Sequence, residues 1–183
     1  LENDVLQKGK IDLMFVEAAV NDHTNGFGAT AQIRGMEGVV RHALEANPEC
    51  DIIMLHFIYD PFIAPAQRGE KIDVVENHEK VAKYYDISSA DLVAEIAQRM
   101  KDGEFDWDTF GGTHPKPFGH KFYAAAVARI IDELYLKSKD KTPAPHKIPA
   151  PLDKFSYSNG KFLDIKNAEI VSGWKLDPKW TPR

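Results

Sequence analysis

Two short polar stretches hold the side chains best suited to chemistry. Phe110-Gly111-Gly112-Thr113-His114-Pro115-Lys116-Pro117-Phe118-Gly119-His120 breaks one helical pattern and begins another, and so holds His114 in a loop braced by glycines and prolines. Val20-Asn21-Asp22-His23 follows directly on a very apolar run, as expected at the carboxyl end of a parallel strand. Braced loops on a packed scaffold are common seats of catalytic side chains. An imidazole in such a loop can take and return a proton near neutral pH, and an asparagine carboxamide can donate hydrogen bonds. Asp22, His23, His114 and His120 also offer oxygen and nitrogen ligands to a divalent metal. Their spacing matches no compact motif such as His-Glu-x-x-His, which ranks a metal-dependent hydrolase well below a nucleophilic mechanism.

These stretches must be positioned by the elements around them. Ile11 to Val20 reads as a buried strand, because parallel strands covered on both faces are nearly continuous apolar runs. Ile33, Met36, Val40, Ala43 and Leu44 share one helical face, and Asn47-Pro48 ends that helix before a second strand, Ile52 to Ile58. A loop rich in proline and glycine is expected from Tyr59 to Glu70. It is followed by a helix with Val74, Val75, His78, Val81, Ala82 and Tyr85 on its apolar face. A short extended piece at Asp86-Ile87-Ser88 leads to a helix carrying Leu92, Val93, Ile96 and Met100, capped by Ser88 or Ser89. Beyond the histidine loop, Phe122 to Leu134 forms a strong helix beginning near Gly119. Helices alternating with strands predict a doubly wound, three-layer α/β/α parallel sheet over residues 1–137.

The composition changes after Lys137. Residues 138–151 gather lysines with Pro143, Pro145, Pro149 and Pro151 and have no apolar period, so a linker is expected. Residues 152–183 carry a strand, an Asn159-Gly160 turn and a strand over Phe155 to Phe162, then an extended Ala168 to Val171. The expectation is a short β-rich C-terminal extension, the start of a β-module with too few strands to bury a core.

The 183 residues, 43% hydrophobic and 28% charged, fit one domain with an appendage. A net charge of -5 from 23 basic and 28 acidic residues, well mixed along the chain, excludes a basic stripe for nucleic acid and a polybasic run for a membrane surface. Cys50 is alone and reads as a small buried thiol. No apolar run is long enough to span a bilayer, and Leu1-Glu2-Asn3-Asp4 is not a signal peptide.

The Asn-Asp pair after an apolar strand and the His-Pro before a long helix together resemble the SGNH, or GDSL, hydrolases. The resemblance covers roughly the first three quarters of the chain. That family builds its site from four blocks: a serine in Gly-Asp-Ser, a glycine, an asparagine in Gly-x-Asn-Asp, and a histidine in Asp-x-x-His-Pro. Here Ala19-Val20-Asn21-Asp22 matches the third block with alanine for glycine, and Gly111-Gly112-Thr113-His114-Pro115 matches the last with glycine for aspartate. The resemblance implies a flavodoxin-like fold and a serine esterase using an acyl-enzyme. In it, His114 is the general base and Asn21 an oxyanion-hole donor, and no cofactor or metal is needed.

Two departures qualify it. No Gly-Asp-Ser and no Gly-x-Ser-x-Gly occurs in the chain, and Ser88, Ser89, Ser138, Ser156, Ser158 and Ser172 read as cap, linker or strand serines. The nucleophile is expected on a missing N-terminal segment before Leu1, which makes the chain an internal piece, inactive by itself. Gly111 also stands where a carboxylate would orient the imidazole. Asp108, Asp106 or a backbone carbonyl could serve instead, and a Ser-His dyad is expected.

Each residue has a plainer reading. Asn-Asp after a strand is most often a turn or cap pair, and a histidine among glycines and a proline can mark a solvated turn. His56 and His78 lie in apolar patterns and read as packed or interfacial histidines, and His120 as structural. Tyr59 and Asp60 open the loop on the sheet edge where substrate would lie; surface loop is the alternative to a substrate-binding role. Trp174 and Trp180 read as core of the β-module rather than as sugar platforms. An SGNH core followed by a proline linker and a β-module resembles esterases that deacetylate polysaccharides, so the expected partner is a polysaccharide or small-molecule acyl ester. Lipase or thioesterase activity on longer chains, and a catalytically inactive carbohydrate-binding relative or inert fragment, are the alternatives. Secreted or periplasmic placement follows if the substrate is a polysaccharide.

Overall fold

The computed structural model describes residues 1–161 and 163–181. Three parallel strands, β1 (Leu13–Val16), β2 (Asp51–His56) and β3 (Ser88–Asp91), form one sheet in the order β1-β2-β3. Phe15 pairs with Ile53, and Ile53 with Ser88. Alternate β2 residues feed two apolar clusters, because successive side chains of a strand face opposite ways. Ile52 and Met54 pack with Met36, Val40 and Leu44 of α2 (Ala29–Ala46) and with Val81 and Tyr85 of α4 (Asp73–Tyr85). Ile53 and Leu55 pack with Phe62 of α3 (Asp60–Gln67), Leu92 and Ile96 of α5 (Leu92–Lys101), and Tyr123 and Ala126 of α7 (Pro117–Ser138). The predicted α/β/α parallel arrangement is therefore present. Among the described residues no helix is long and apolar enough to cross a membrane.

Several local expectations are corrected. The first strand ends at Val16 and the chain turns into α1 (Ala19–Thr24), so Asn21 lies on a helix rather than in a loop. The expected loop at 59–70 contains α3, which Pro61 can start because an N-terminal helical position has no hydrogen bond to lose. The short extended piece is shifted to Ser88–Asp91, and Asp91, not a serine, caps α5 by accepting from the Ala94 N–H at 2.9 Å.

The tail differs most. Its described residues carry 3₁₀ turns at Tyr157–Asn159 and Ile165–Asn167 and no strand, with Phe162, the end of the expected hairpin, outside them. Tyr157 turns to pack against Gly35 and Gly38 of α2 instead of continuing an extended strand. The proline segment expected as a linker lies along α2 and α4. The Arg41 guanidinium donates to the Pro149 carbonyl at 2.8 Å and the Tyr84 hydroxyl to the Ala150 carbonyl at 2.9 Å. The carboxylate of Glu37, fully buried on α2, accepts from the Leu152 N–H, the Asp153 N–H (3.0 Å) and the Tyr85 hydroxyl (2.6 Å). Burial first, and then Glu37, push the Tyr85 hydroxyl up to about 12.

Candidate active site

β1 and β2 deliver two chain segments to their carboxyl ends. After Val16 comes Glu17, whose carboxylate accepts from the Val20 N–H at 3.3 Å, at the start of α1 where no side chain of Ala18 can cap. Burial raises the Glu17 carboxyl above its ordinary range, against the lowering effect of the Val20, Ala19 and Phe57 N–H groups. Ala19 is fully buried in the apolar cluster of α5 and α7, and Val20 packs against it. Asn21 is exposed on the next position. Asp22 turns inward, its Oδ2 3.0 Å from Nε2 of His78 on α4, whose side chain has no exposure. His23 lies edge-on to Phe62 and Tyr59, with centroids 4.9 and 5.9 Å away.

The second segment, beyond β2, meets α7. The Ile58 N–H donates to the Tyr123 hydroxyl at 3.2 Å, and the Phe57 ring stacks on Tyr123 at 4.4 Å. The Tyr123 hydroxyl is held far above its ordinary range by burial. This fixes α7, and hence the loop that precedes it, at the same end of β2 as the segment leaving that strand. Tyr59 and Asp60, weighed as substrate contacts, sit at the start of α3 beside His23.

The histidine loop joins α6 (Trp107–Phe110) to α7. Phe110, fully buried, stacks between Phe105 and Trp107 and takes the edge of Tyr123. Its carbonyl accepts from the Lys116 N–H at 3.3 Å, which closes the loop. Gly111 has φ +105°, and a Cβ there would lie 2.3 Å from the Lys116 nitrogen. A Cβ on Gly119 would lie 2.3 Å from the Phe110 carbonyl oxygen and 2.7 Å from Pro115. Both glycines are thus demanded by the closure, one by conformation and one by contact. His114 stands exposed at the tip, and among the described residues no hydrogen bond joins it to Asp108 or Asp106. The Asp106 carboxylate instead caps α6 by accepting from the Thr109 N–H at 2.8 Å, which holds it below the usual carboxylate range.

The buried pairs behind α1 were not legible in the sequence, where His56 and His78 read as packing histidines. His56 Nε2 lies 2.7 Å from Glu79 Oε1, and the two imidazoles are 6.1 Å apart. The hydrogen bond to His56 holds the Glu79 carboxyl below its ordinary value. Among the described residues no group of three or more histidine, cysteine, aspartate or glutamate side chains is gathered to hold a metal ion. Asp22 and His23, weighed as ligands, are engaged by His78 and by the rings of Phe62 and Tyr59.

Burial holds His78 below its ordinary 6.5, with Asp22 opposing and His56 assisting. The unfolded chain therefore binds a proton that the folded one refuses. The stability from this group is present above pH 6.5 and is lost as pH falls from 6.5 toward the lowered folded value. Glu17, raised in the folded state, acts with the opposite sign nearer pH 4.5. Melting temperature followed from pH 7.5 downward should decline in the first window, and His78→Gln, which cannot titrate, should flatten that part of the curve. Parallel curves for the two proteins would place the acid loss elsewhere.

A family model for the GDSL-like lipase/acylhydrolase family matches residues 1–122. No curated protein matches the chain. Two solved structures are similar, both of a two-domain esterase active on acetylated mannans. The one co-crystallised with mannopentaose is 22% identical with a TM-score of 0.66, and covers 86% of this chain and 38% of its own. The other is 22% identical with a TM-score of 0.67, and covers 86% and 39%. The likeness establishes the shared α/β/α fold. The chain spans about two fifths of the length of these structures.

Proposed function

The chain belongs to the GDSL-like lipase/acylhydrolase family, and from that premise we propose that it forms part of a serine ester hydrolase that removes acetyl groups from carbohydrate. The nucleophilic serine lies outside this chain, which has no Gly-Asp-Ser turn. One observation carries the reading. The Asn21 helix and the His114 loop, far apart in sequence, are anchored through Ala19, Phe110 and Tyr123 on one apolar cluster, the one that Ile53 and Leu55 of β2 enter.

In the proposed reaction the imidazole of His114 removes the serine proton as the hydroxyl oxygen attacks the acetyl carbonyl carbon. The carbonyl π electrons move onto oxygen, and the Asn21 carboxamide donates a hydrogen bond to that oxyanion. Collapse of the tetrahedral species expels the sugar oxygen, which takes the proton back from His114 and leaves an acetyl-enzyme. Water, deprotonated by the same imidazole, attacks the acetyl carbon; collapse breaks the bond to the serine oxygen, which regains the proton from His114, and acetate leaves. Among the described residues His114 has no aspartate partner, so the closed loop is assigned the task of orienting its ring. The exposed position of His114, and the exposed His23 ring lying edge-on to Tyr59, suit a large, hydrated, partly apolar substrate such as an acetylated glycan; Tyr59 and Asp60 are assigned to its binding.

The test is acetate release from acetylated mannan by the full-length protein. Activity should be lost to a serine-directed phosphonate and should survive a chelator; the reverse pattern would favour a metal hydrolase, and no acetate release at all a binding-only relative. Asn21→Ala should lower kcat by about 10²-fold to 10³-fold with little change in KM, because its donor is used fully only in the transition state. A change in KM alone would assign Asn21 to substrate binding instead.

A further inference from the structure

We infer that His78 is a positioning residue for Asn21, acting through Asp22 to hold α1 in register; the inference rests on the oxyanion role proposed above. α1 is six residues long, too short to be stable by itself. It is tied at the first turn by the Val20 N–H, which donates to the Glu17 carboxylate, and one position beyond Asn21 by the Asp22 side chain, which meets His78. Successive helical residues point about 100° apart, so an inward Asp22 sends Asn21 outward, where it is exposed.

The chemistry of His78 argues against plain packing. Its ring is fully buried, its Nε2 meets Asp22, and among the described residues its Nδ1 has no hydrogen-bond partner. With no acceptor near Nδ1, the ring carries its proton on Nε2 and donates to the carboxylate, leaving a bare lone pair on the other nitrogen. A leucine would fill the same space without stranding a polar atom. The one gain the imidazole brings is the bond to Asp22. Among the described residues the His56–Glu79 hydrogen bond joins β2 to α4, and the His78–Asp22 hydrogen bond joins α4 to the Asn21 helix.

The test is a mutant cycle in the full-length protein, read as kcat and KM on 4-nitrophenyl acetate with unfolding followed in parallel. His78→Leu should lower kcat on the order of 10-fold to 100-fold with KM nearly unchanged, since displacing a reacting group by about 1 Å has effects of that size. His78→Gln should recover most of the loss, because its carboxamide can still donate to Asp22. In the Asn21→Ala background, His78→Leu should change kcat by less than roughly twofold. If His78→Leu does not fold, Asp22→Ala is read in the same cycle with the same expected pattern. Equal losses with and without Asn21 overturn the positioning role and leave the proposed function standing. An Asn21→Ala protein with unchanged kcat removes the oxyanion role, and this inference falls with it.

Discussion

Alanine at His114 is expected to lower ester turnover by the full-length protein by about 10⁴-fold to 10⁶-fold, with little effect on folding. The size follows from the nature of a nucleophile and its base, which act as a unit, so that losing either removes nearly all covalent catalysis. The neighbouring bases are placed differently: His120 lies a turn into α7, Asp106 is bound to the cap of α6, and Asp108 makes no hydrogen bond to His114 among the described residues. Folding should be spared because the side chain is exposed and makes no hydrogen bond among the described residues, and such surface changes shift stability by about 0.5 kcal/mol or less. Rate of phosphonate labelling and acetate release, measured beside a thermal melt, separate the two effects. A His114→Ala protein with wild-type turnover and an intact fold would remove the residue from the mechanism.

Gly111→Asp should do the opposite of what its place in the family motif suggests. It restores the aspartate found there in the Asp-x-x-His-Pro block, yet the expected result is a destabilised protein with no gain in kcat. A non-glycine residue in the left-handed region costs about 1–2 kcal/mol, and at φ +105° the new Cβ also meets the Lys116 nitrogen at 2.3 Å and its Cγ at 2.8 Å. The loop must open to admit it, which breaks the Phe110–Lys116 hydrogen bond and frees the segment holding His114. A total loss of roughly 3 kcal/mol or more is expected, read by urea unfolding. If Gly111→Asp folds with unchanged stability and turns over faster, the loop tolerates a triad and the dyad reading is wrong. The missing aspartate is thus a property of the loop's shape as much as of one codon.

The parts of the fold legible in the sequence were those where a period and a stop signal agreed. β2 is a run of apolar residues and α2 a single apolar face ended by Asn47-Pro48, and both lie where they were expected within a few residues. The failures have local causes. Ala18, Ala19 and Val20 are apolar because α1 is buried at its root, and burial extended the strand reading into a helix. Pro61 and Pro65 read as loop residues, although one begins α3 and the other is carried within it. Among the candidate residues, His114 and Asn21 stood out in the sequence because glycines, prolines and an apolar strand framed them. The Asp22–His78 bond spans 56 residues of sequence, and no spacing rule reaches that far. Short motifs report backbone shape, whereas pairings between elements depend on which helix lies over which, and this is decided by the packing of the whole sheet.

The strap over α2 also bears on the order of folding. The bond between the Asp153 N–H and Glu37 joins residues 116 apart in sequence, and contacts of such long range are slow to form because the loop between them must first be closed. α2 and α4 have to meet before Glu37 and Tyr85 come together to receive the Leu152 and Asp153 amides. Until then the Glu37 carboxylate is expected to stay hydrated, its burial following the docking of α2 on α4.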